Sequence, residues 1–383
     1  MNVFHDFILL CALASIVYYA LAIACAFLFE RGPDSPPPLP LHPPRVALLK
    51  PLHGWDEDLL ANLDSFMRLD YPDKEYIFGV TTDDDPALHA LEEIKRRYPE
   101  AQIKQTVGDE PSSNRKVGKL LRILTCPTEA EILVMSDADV RVDRDYLRRL
   151  VTELDANKKT GLVTCVYRGV APSGGIGALL EALFINTDFA PTAIVSYALE
   201  PMRHAFASTI AIRRTTLEEA GGLEAVRNSF GDDFALARRV ADLGYEIRLS
   251  RSMVTMVTEQ MTLRDFWDRQ LRWARVDRNI RPISLARMLI NGPFWALLLL
   301  PAFGFSLAGV AWAAAVIAAR LTMGAHYLHK ILRLPLRAAD LVLLPGKDII
   351  MQIVWIASLW GDTVEWRGRK LRLKPTGEME EVN

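Results

Sequence analysis

Apolar positions along the chain fall into three regimes. Phe7 to Phe29 runs 23 residues without a charge. As a helix it reaches about 34 Å, enough for a hydrocarbon core of about 30 Å. The start, Met-Asn-Val-Phe-His-Asp, is not basic. The run also exceeds the roughly 7–15 apolar residues of a cleaved leader, so the pattern predicts an uncleaved anchor over residues 1–30. Residues 31–45 hold seven prolines, which cannot continue a helix and make a stiff linker. From Val46 to about Met261 short apolar runs alternate with amphipathic stretches. The runs Val46–Leu49, Tyr76–Val80, Ala101–Val107 and Glu131–Met135 read as strands; Asp56–Phe66, Pro86–Tyr98 and Lys116–Leu124 read as helices. Such alternation predicts an α/β domain over 46–261, a doubly wound parallel sheet that takes nucleotide-like ligands at its strand carboxyl ends.

The third regime is apolar again. A basic amphipathic stretch, 262–292, carries Arg264, Arg269, Arg272, Arg275, Arg278, Arg281 and Arg287. Pro293 to Ala319 then runs 27 residues without charge, and Ala339 to Trp360 is interrupted only by Lys347 and Asp348. Residues 293–362 are read as membrane segments and 363–383 as a tail. Arg367, Arg369, Lys370, Arg372 and Lys374 follow the last run. The bias of basic residues puts both clusters, and the α/β domain with them, on the cytoplasmic side of a multi-pass inner-membrane protein. If each C-terminal run crosses once, Arg320, His329, Lys330, Arg333 and Arg337 fall on the far side. A tight hairpin over Pro293–Leu328 followed by a re-entrant segment avoids that, and the pattern leaves both open.

Composition agrees with the mixture. Of 383 residues 50% are hydrophobic, and the net charge is −2, which gives nucleic acid no general electrostatic attraction. The four cysteines form no CxxC pair, so neither a disulfide framework nor a zinc pattern is present, and they read as buried free thiols.

Candidate chemistry lies at the ends of these elements. Asp137-Ala138-Asp139 closes the apolar strand Glu131–Met135. Strand alternation predicts that Asp137 and Asp139 share a face, where two hard carboxylates suit Mg2+ or Mn2+. Asp83-Asp84-Asp85-Pro86 follows the second strand; Asp84 or Asp85 either caps the next helix or contacts a nucleotide. Asp232-Asp233 sits before an apolar helix, and capping again competes with a role as general base. Asn114-Arg115-Lys116 opens a helix, a place for diphosphate contacts or for a solvated turn. Lys50, at the end of the first strand, is a similar candidate. Arg269-Gln270-Leu271-Arg272-Trp273 offers two guanidinium forks that match phosphate and one flat apolar ring; attraction to anionic lipid is the competing reading.

Taken in order, Asp85, Asp137, Asp233 and Arg269-x-x-Arg272-Trp273 resemble the spaced aspartates and arginine–tryptophan motif of ceramide glucosyltransferases and related family 2-like inverting enzymes. Leu48-Leu49-Lys50-Pro51-Leu52, Leu69-Asp70-Tyr71-Pro72, Ala220-Gly221-Gly222-Leu223 and Trp366-Arg367-Gly368-Arg369 add local matches, over about residues 45–375. Gly161–Gly169 and Leu271–Arg275 look similar to bacterial hopanoid-biosynthesis glycosyltransferases. Phe206-Ala207-Ser208-Thr209 departs from the ceramide pattern, which has a small glycine-containing segment there. The resemblance implies a GT-A catalytic domain with transmembrane helices at both ends. It also implies a UDP-sugar donor, a divalent metal, and a lipid acceptor, either a hopanoid polyol or ceramide. On it, Lys50, Asp84, Asp85, Lys116 and Asp137 bind the nucleotide sugar, and Asp137 with Asp139 holds the metal. Asp233 is the base, and Arg269, Arg272 and Trp273 offset charge on the departing diphosphate.

Three rivals remain at this level. A processive polysaccharide synthase shares the motif but usually needs more membrane helices. A lipid-binding protein without catalysis would have no reason to keep every acidic and basic group together. A cytosolic nucleotidyltransferase would need no apolar runs.

Overall fold

A computed structural model of the chain describes residues 3–31, 38–172, 174–366, 369–374 and 377–382. Its helices are α1 (Val3–Phe29), α2 (Leu59–Met67), α3 (Ala87–Arg97), α4 (Arg115–Leu124), α5 (Tyr146–Asp155), α6 (Ile176–Phe184) and α7 (Ala190–Leu199). There follow α8 (Arg214–Glu219), α9 (Asp232–Asp242), α10 (Leu263–Ile280), α11 (Gly292–Ala302), α12 (Leu307–His326) and α13 (Ala338–Ser358). The strands are β1 (Val46–Pro51), β2 (Lys74–Val80), β3 (Ile103–Val107), β4 (Ile132–Met135), β5 (Val140–Arg141) and β6 (Thr160–Val170). The last five are β7 (Ile210–Arg213), β8 (Glu246–Val257), β9 (Thr363–Trp366), β10 (Arg369–Leu373) and β11 (Met379–Glu381). They group into two compact units: residues 33–170, 200–257 and 377–383 in one, residues 1–32, 171–199 and 258–376 in the other.

The first unit is the α/β domain. Its eight-stranded sheet has the order β3-β2-β1-β4-β7-β6-β8-β5. Strands β1 to β4 are parallel, with Leu49 opposite Ile77 on one side and Met135 on the other. All six residues of β1 are buried, as expected where helices cover both faces of a parallel sheet. The second half corrects the expectation of an all-parallel sheet. Strand β7 runs antiparallel between β4 and β6, and β5 antiparallel beside β8. The cause is the long excursion after β6: the chain leaves and re-enters at the same end of the sheet, so the next strand must run back. The linker residues 32–37, with Pro33, Pro36 and Pro37, lie outside the described residues; beyond them the Tyr71 hydroxyl donates to the Pro44 carbonyl at 2.6 Å.

The second unit is helical. Ile8, Cys11 and Ala12 of α1 share a buried cluster with Trp295, Ala296 and Leu299 of α11 and Ala313 and Val316 of α12. Tyr19 joins them by accepting the Gly292 N–H at 2.8 Å. A Cβ at Gly292 would come within 2.7 Å of that hydroxyl, so the close approach needs glycine. Among the described residues four helices are long and apolar enough to cross a membrane: Val3–Phe29, Ile176–Leu199, Leu307–Ile331 and Ala338–Ser358.

Several expectations change here. Ile176–Leu199, in which α6 and α7 are joined by a π turn at Ile185–Phe189, was read as part of the 46–261 domain and instead belongs to the helical unit. Its charges, Glu181 and Asp188, hide its apolar length. The run Pro293–Ala319 is not one helix. Gly304 and Phe305 adopt left-handed backbone at φ 58° and 55°, and the chain turns between α11 and α12. The tail is not featureless either. Strands β9 and β10 form an antiparallel hairpin, with Glu365 opposite Lys370; Arg367 and Gly368 lie outside the described residues.

Lys347 and Asp348 do not interrupt α13, because their charges are paired. Arg320 Nε and Nη2 donate to the two Asp348 oxygens at 2.6 and 2.9 Å, and Nη2 lies 3.2 Å from Asp188. Lys347 reaches Asp348 at 2.6 Å and also pairs with Asp188. Arg320, Lys347 and Asp348 are almost wholly buried. Two cations and two anions thus tie α12, α13 and the Ile176–Leu199 helix together at the middle of each helix.

Candidate active site

The α/β unit gathers one site at the carboxyl ends of β1 and β4. Asn114, fully buried, caps α4 by accepting the N–H groups of Lys116 and Val117. Its amide donates to Ser229 O at 2.9 Å and Asp232 Oδ1 at 3.1 Å. One side chain therefore fixes the start of α4 against the start of α9. The cap aims Lys116 inward, where its ammonium lies 2.6 Å from Asp137 Oδ1 and 3.4 Å from the Ala207 carbonyl.

Asp232 and Asp233 occupy the first turn of α9, where the helix dipole favours anions. Asp233 Oδ1 accepts its neighbour Phe234 N–H at 2.7 Å, and Oδ2 accepts the Ala207 N–H at 2.9 Å. Burial and then the adjacent Asp232 push its carboxyl up to about 7, with Lys116 and the two N–H groups opposing. Burial also raises Asp232, against Lys116. Despite its burial, Lys116 is held above the usual lysine range by Asp137 and Asp232. Three carboxylates around one firmly charged ammonium leave the site net negative, and one of them is poised to exchange a proton near neutrality.

The other sequence candidates take different places. Lys50 was expected to contact a nucleotide. It is instead wholly buried, lies 3.6 Å over the Phe66 ring, and donates to the Asp137 carbonyl at 2.7 Å. Burial pulls its ammonium down to about 7, with Asp137 and Asp139 opposing. Its position makes it a support for the Asp137 turn. Asp137 and Asp139 do not share a strand face. Strand β4 ends at Met135, where both of its neighbours' pairing ends, and the two aspartates lie in the turn that leads to β5. Both lie within electrostatic reach of the Lys50 ammonium. Asp84 is exposed. Asp85 is buried and accepts the N–H groups of Gly54 at 2.8 Å and Ala87 at 3.0 Å. Against burial, those bonds and His53 hold its carboxyl below the ordinary value. Asp85 precedes the N-cap, Pro86, and receives the first N–H of α3 while also holding the Gly54 loop. The segment Phe206–Thr209 touches Asp233 and Lys116 through Ala207, which places that departure from the ceramide pattern beside the candidate base.

Arg269, Arg272 and Trp273 lie on α10, in the helical unit. A reciprocal cap between Thr262 and Asp265 starts this helix. Arg269 Nε lies 3.1 Å from Glu181 Oε1, with its guanidinium 5.8 Å from the Trp273 ring. Arg272 donates to Glu365 O at 3.5 Å. Arg275 and Arg278 are consumed elsewhere: they donate to the carbonyls of Trp360, Thr363, Ser358 and Gly361 past the end of α13. Cations there satisfy carbonyls that the helix leaves unpaired. Reading α10 as a uniform phosphate or lipid surface is therefore too simple.

Among the described residues no group of three or more His, Cys, Asp or Glu is arranged to hold a metal ion. Asp137 lies close enough to Asp232 to raise its carboxyl, and carboxylate oxygens are the donors a hard divalent cation takes.

A sheet parallel through β1 to β4 and closed by antiparallel strands, with carboxylates at its strand ends, is the fold of the GT-A class. The family model described as glycosyl transferase family 21 matches residues 7–379, and the chain belongs to that family. It is 24% identical over 238 residues to ceramide glucosyltransferase 3 of Caenorhabditis elegans, covering 61% of this chain and 50% of that protein. With ceramide glucosyltransferase 1 of the same organism it shares 23% over 267 residues, 70% of this chain and 56% of the relative. The chain thus spans about half the length of these relatives. In fold it resembles a mannosyltransferase from Pyrobaculum calidifontis solved with GDP-mannose and Mn2+ (TM-score 0.54, 20% identity, 93% of this chain and 99% of that one).

Proposed function

We propose that this chain is an inverting enzyme that moves one hexose, glucose or N-acetylglucosamine, from a UDP-sugar to the hydroxyl of a membrane lipid. The observation that carries this reading is Asp233: a carboxylate with a pKa near 7, beside the Lys116–Asp137 pair. A base tuned to the working pH combines the correct protonation state with proton-transfer drive. In the proposed step the lipid hydroxyl oxygen attacks the anomeric carbon while Asp233 takes its proton. The bond from that carbon to the diphosphate breaks, and UDP leaves with the electron pair. Asp84 and Asp85 border the nucleotide at the end of β2, and Lys116 faces the diphosphate. Mg2+ or Mn2+ held by Asp137 and Asp139 would neutralise diphosphate charge. Arg269, Arg272 and Trp273 oppose the charge that grows on the leaving group.

The acceptor is proposed to be ceramide or a hopanoid polyol. Membership of family 21 and likeness to ceramide glucosyltransferases support a lipid acceptor, and the four apolar helices support a membrane protein. Connectivity limits the topology. Ile176–Leu199 lies between β6 and β7, which pair within one sheet. Were it to cross the bilayer, residues 200–209, with Glu200, Arg203 and His204, would have to return through hydrocarbon without a helix, leaving backbone groups unpaired. We therefore place this helix as membrane-inserted but not crossing. The Met379 N–H donates to Asn228 O at 3.0 Å, so residues after the last helix return to the α/β unit. The helices between Val257 and Gly377 would then cross an even number of times, and the bias of basic residues supports the cytoplasmic face for the catalytic unit.

The test is incubation of membranes that contain the chain with labelled UDP-glucose or UDP-N-acetylglucosamine, ceramide and hopanoid polyol being offered separately. One lipid gaining the mass of a single hexose unit is the expected product. Polymer would favour a processive synthase, and no transfer to any lipid would contradict the proposal.

A further inference from the structure

Glu181 lies in the apolar helical stretch Ile176–Leu199 and is fully buried. Its two oxygens face two adjacent residues of α10: Oε1 lies 3.1 Å from Arg269 Nε, and Oε2 accepts the Gln270 amide at 2.6 Å. Gln270 is itself fully buried. One turn earlier, Gly177 presses α6 onto the start of the same helix. A Cβ there would lie 2.1 Å from the Thr262 carbonyl and 2.6 Å from that of Met261. Residues 177 and 181 share a helix face, so the backbone contact and the carboxylate address α10 together. Asp188, on the following turns of that helix, holds Arg320 and Lys347.

A buried carboxylate is expensive unless it is paired, and the partners of Glu181, Arg269 and Gln270, both lie on α10. Its presence needs a reason at α10. We propose that Glu181 is a positioning residue for the Arg269-x-x-Arg272-Trp273 motif. Held by Glu181 on one side and lying near the Trp273 ring, the Arg269 guanidinium has its fork oriented before the diphosphate arrives. Pre-orientation of this kind removes the cost of ordering a long side chain during reaction. The inference rests on the motif acting on the leaving diphosphate as proposed above.

The experiment uses the full chain in detergent or nanodiscs. Glu181→Gln keeps shape and a hydrogen bond to Gln270 but removes the charge that orients Arg269. It is expected to lower kcat by about 10- to 100-fold, since misplacement by about 1 Å can cost 10²-fold, and to weaken UDP binding while leaving the lipid KM unchanged. Arg269→Ala is expected to fall in the same direction, and Glu181→Gln added to Arg269→Ala to lower turnover no further. Asp188→Asn, on the same helix but directed at the ion cluster, should lose thermal stability and keep kcat. Wild-type kcat in folded Glu181→Gln, or losses that add in the double variant, would overturn the proposal. So would equal losses of kcat in Glu181→Gln and Asp188→Asn, which would mark a structural role alone. Wild-type turnover in Arg269→Ala would instead remove the motif's catalytic role and with it the basis of the inference.

Discussion

Asp233→Asn is expected to lower turnover by about 10²–10⁴-fold, the usual contribution of a placed base, while UDP-sugar binding stays near wild type. The asparagine keeps the shape and can still accept the Ala207 N–H, so the loss reports proton removal rather than collapse of the loop. The pH profile carries the same information with a definite sign. Asp233 acts only when ionised, and its carboxyl is raised to about 7. Activity should therefore climb about tenfold per pH unit below neutrality and level off above it. Stability should move the other way. A carboxyl raised in the folded state binds a proton that the unfolded chain has released, so stability falls as pH rises from about 4 to 7. Asp233→Asn should then unfold at a higher temperature than wild type at pH 8, and differential scanning at two pH values checks this. The site would give up stability to keep its base poised.

Arg320→Leu is expected to cost about 3–5 kcal/mol, the scale for breaking a buried ion pair from one side. Arg320 meets both Asp348 and Asp188, and its removal leaves Lys347 as the cation facing two carboxylates. Thermal unfolding in detergent should show a large drop. Arg320→Leu with Asp348→Leu should recover part of it, because the second change removes the stranded charge. A single variant as stable as wild type would mean that the quartet does not hold the helices.

Much of the α/β unit could be read in the chain. Val46–Leu49, Tyr76–Val80 and Glu131–Met135 are continuous apolar runs because helices cover both faces of the sheet they enter. Asp233 is a candidate in the sequence because it sits before an apolar helix, where capping competes with a role as base. Other features depend on distant partners. Strand β7 is short, and its direction follows from the excursion before it rather than from its residues. Lys50 reads as a ligand contact at a strand end, and its burial against Phe66 and the Asp137 carbonyl depends on partners distant in the chain. Ile176–Leu199 was hidden by Glu181 and Asp188, charges that ordinarily mark a solvent-facing helix and here meet Arg269, Arg320 and Lys347. Counting only those two charges along its length would have exposed it.

The central claim is a single displacement in which Asp233 activates the acceptor. It is tested most directly by the anomeric configuration of the lipid product, read from its proton NMR couplings after transfer from an α-linked UDP-hexose. A β-linked sugar is predicted; an α-linked product would contradict the account.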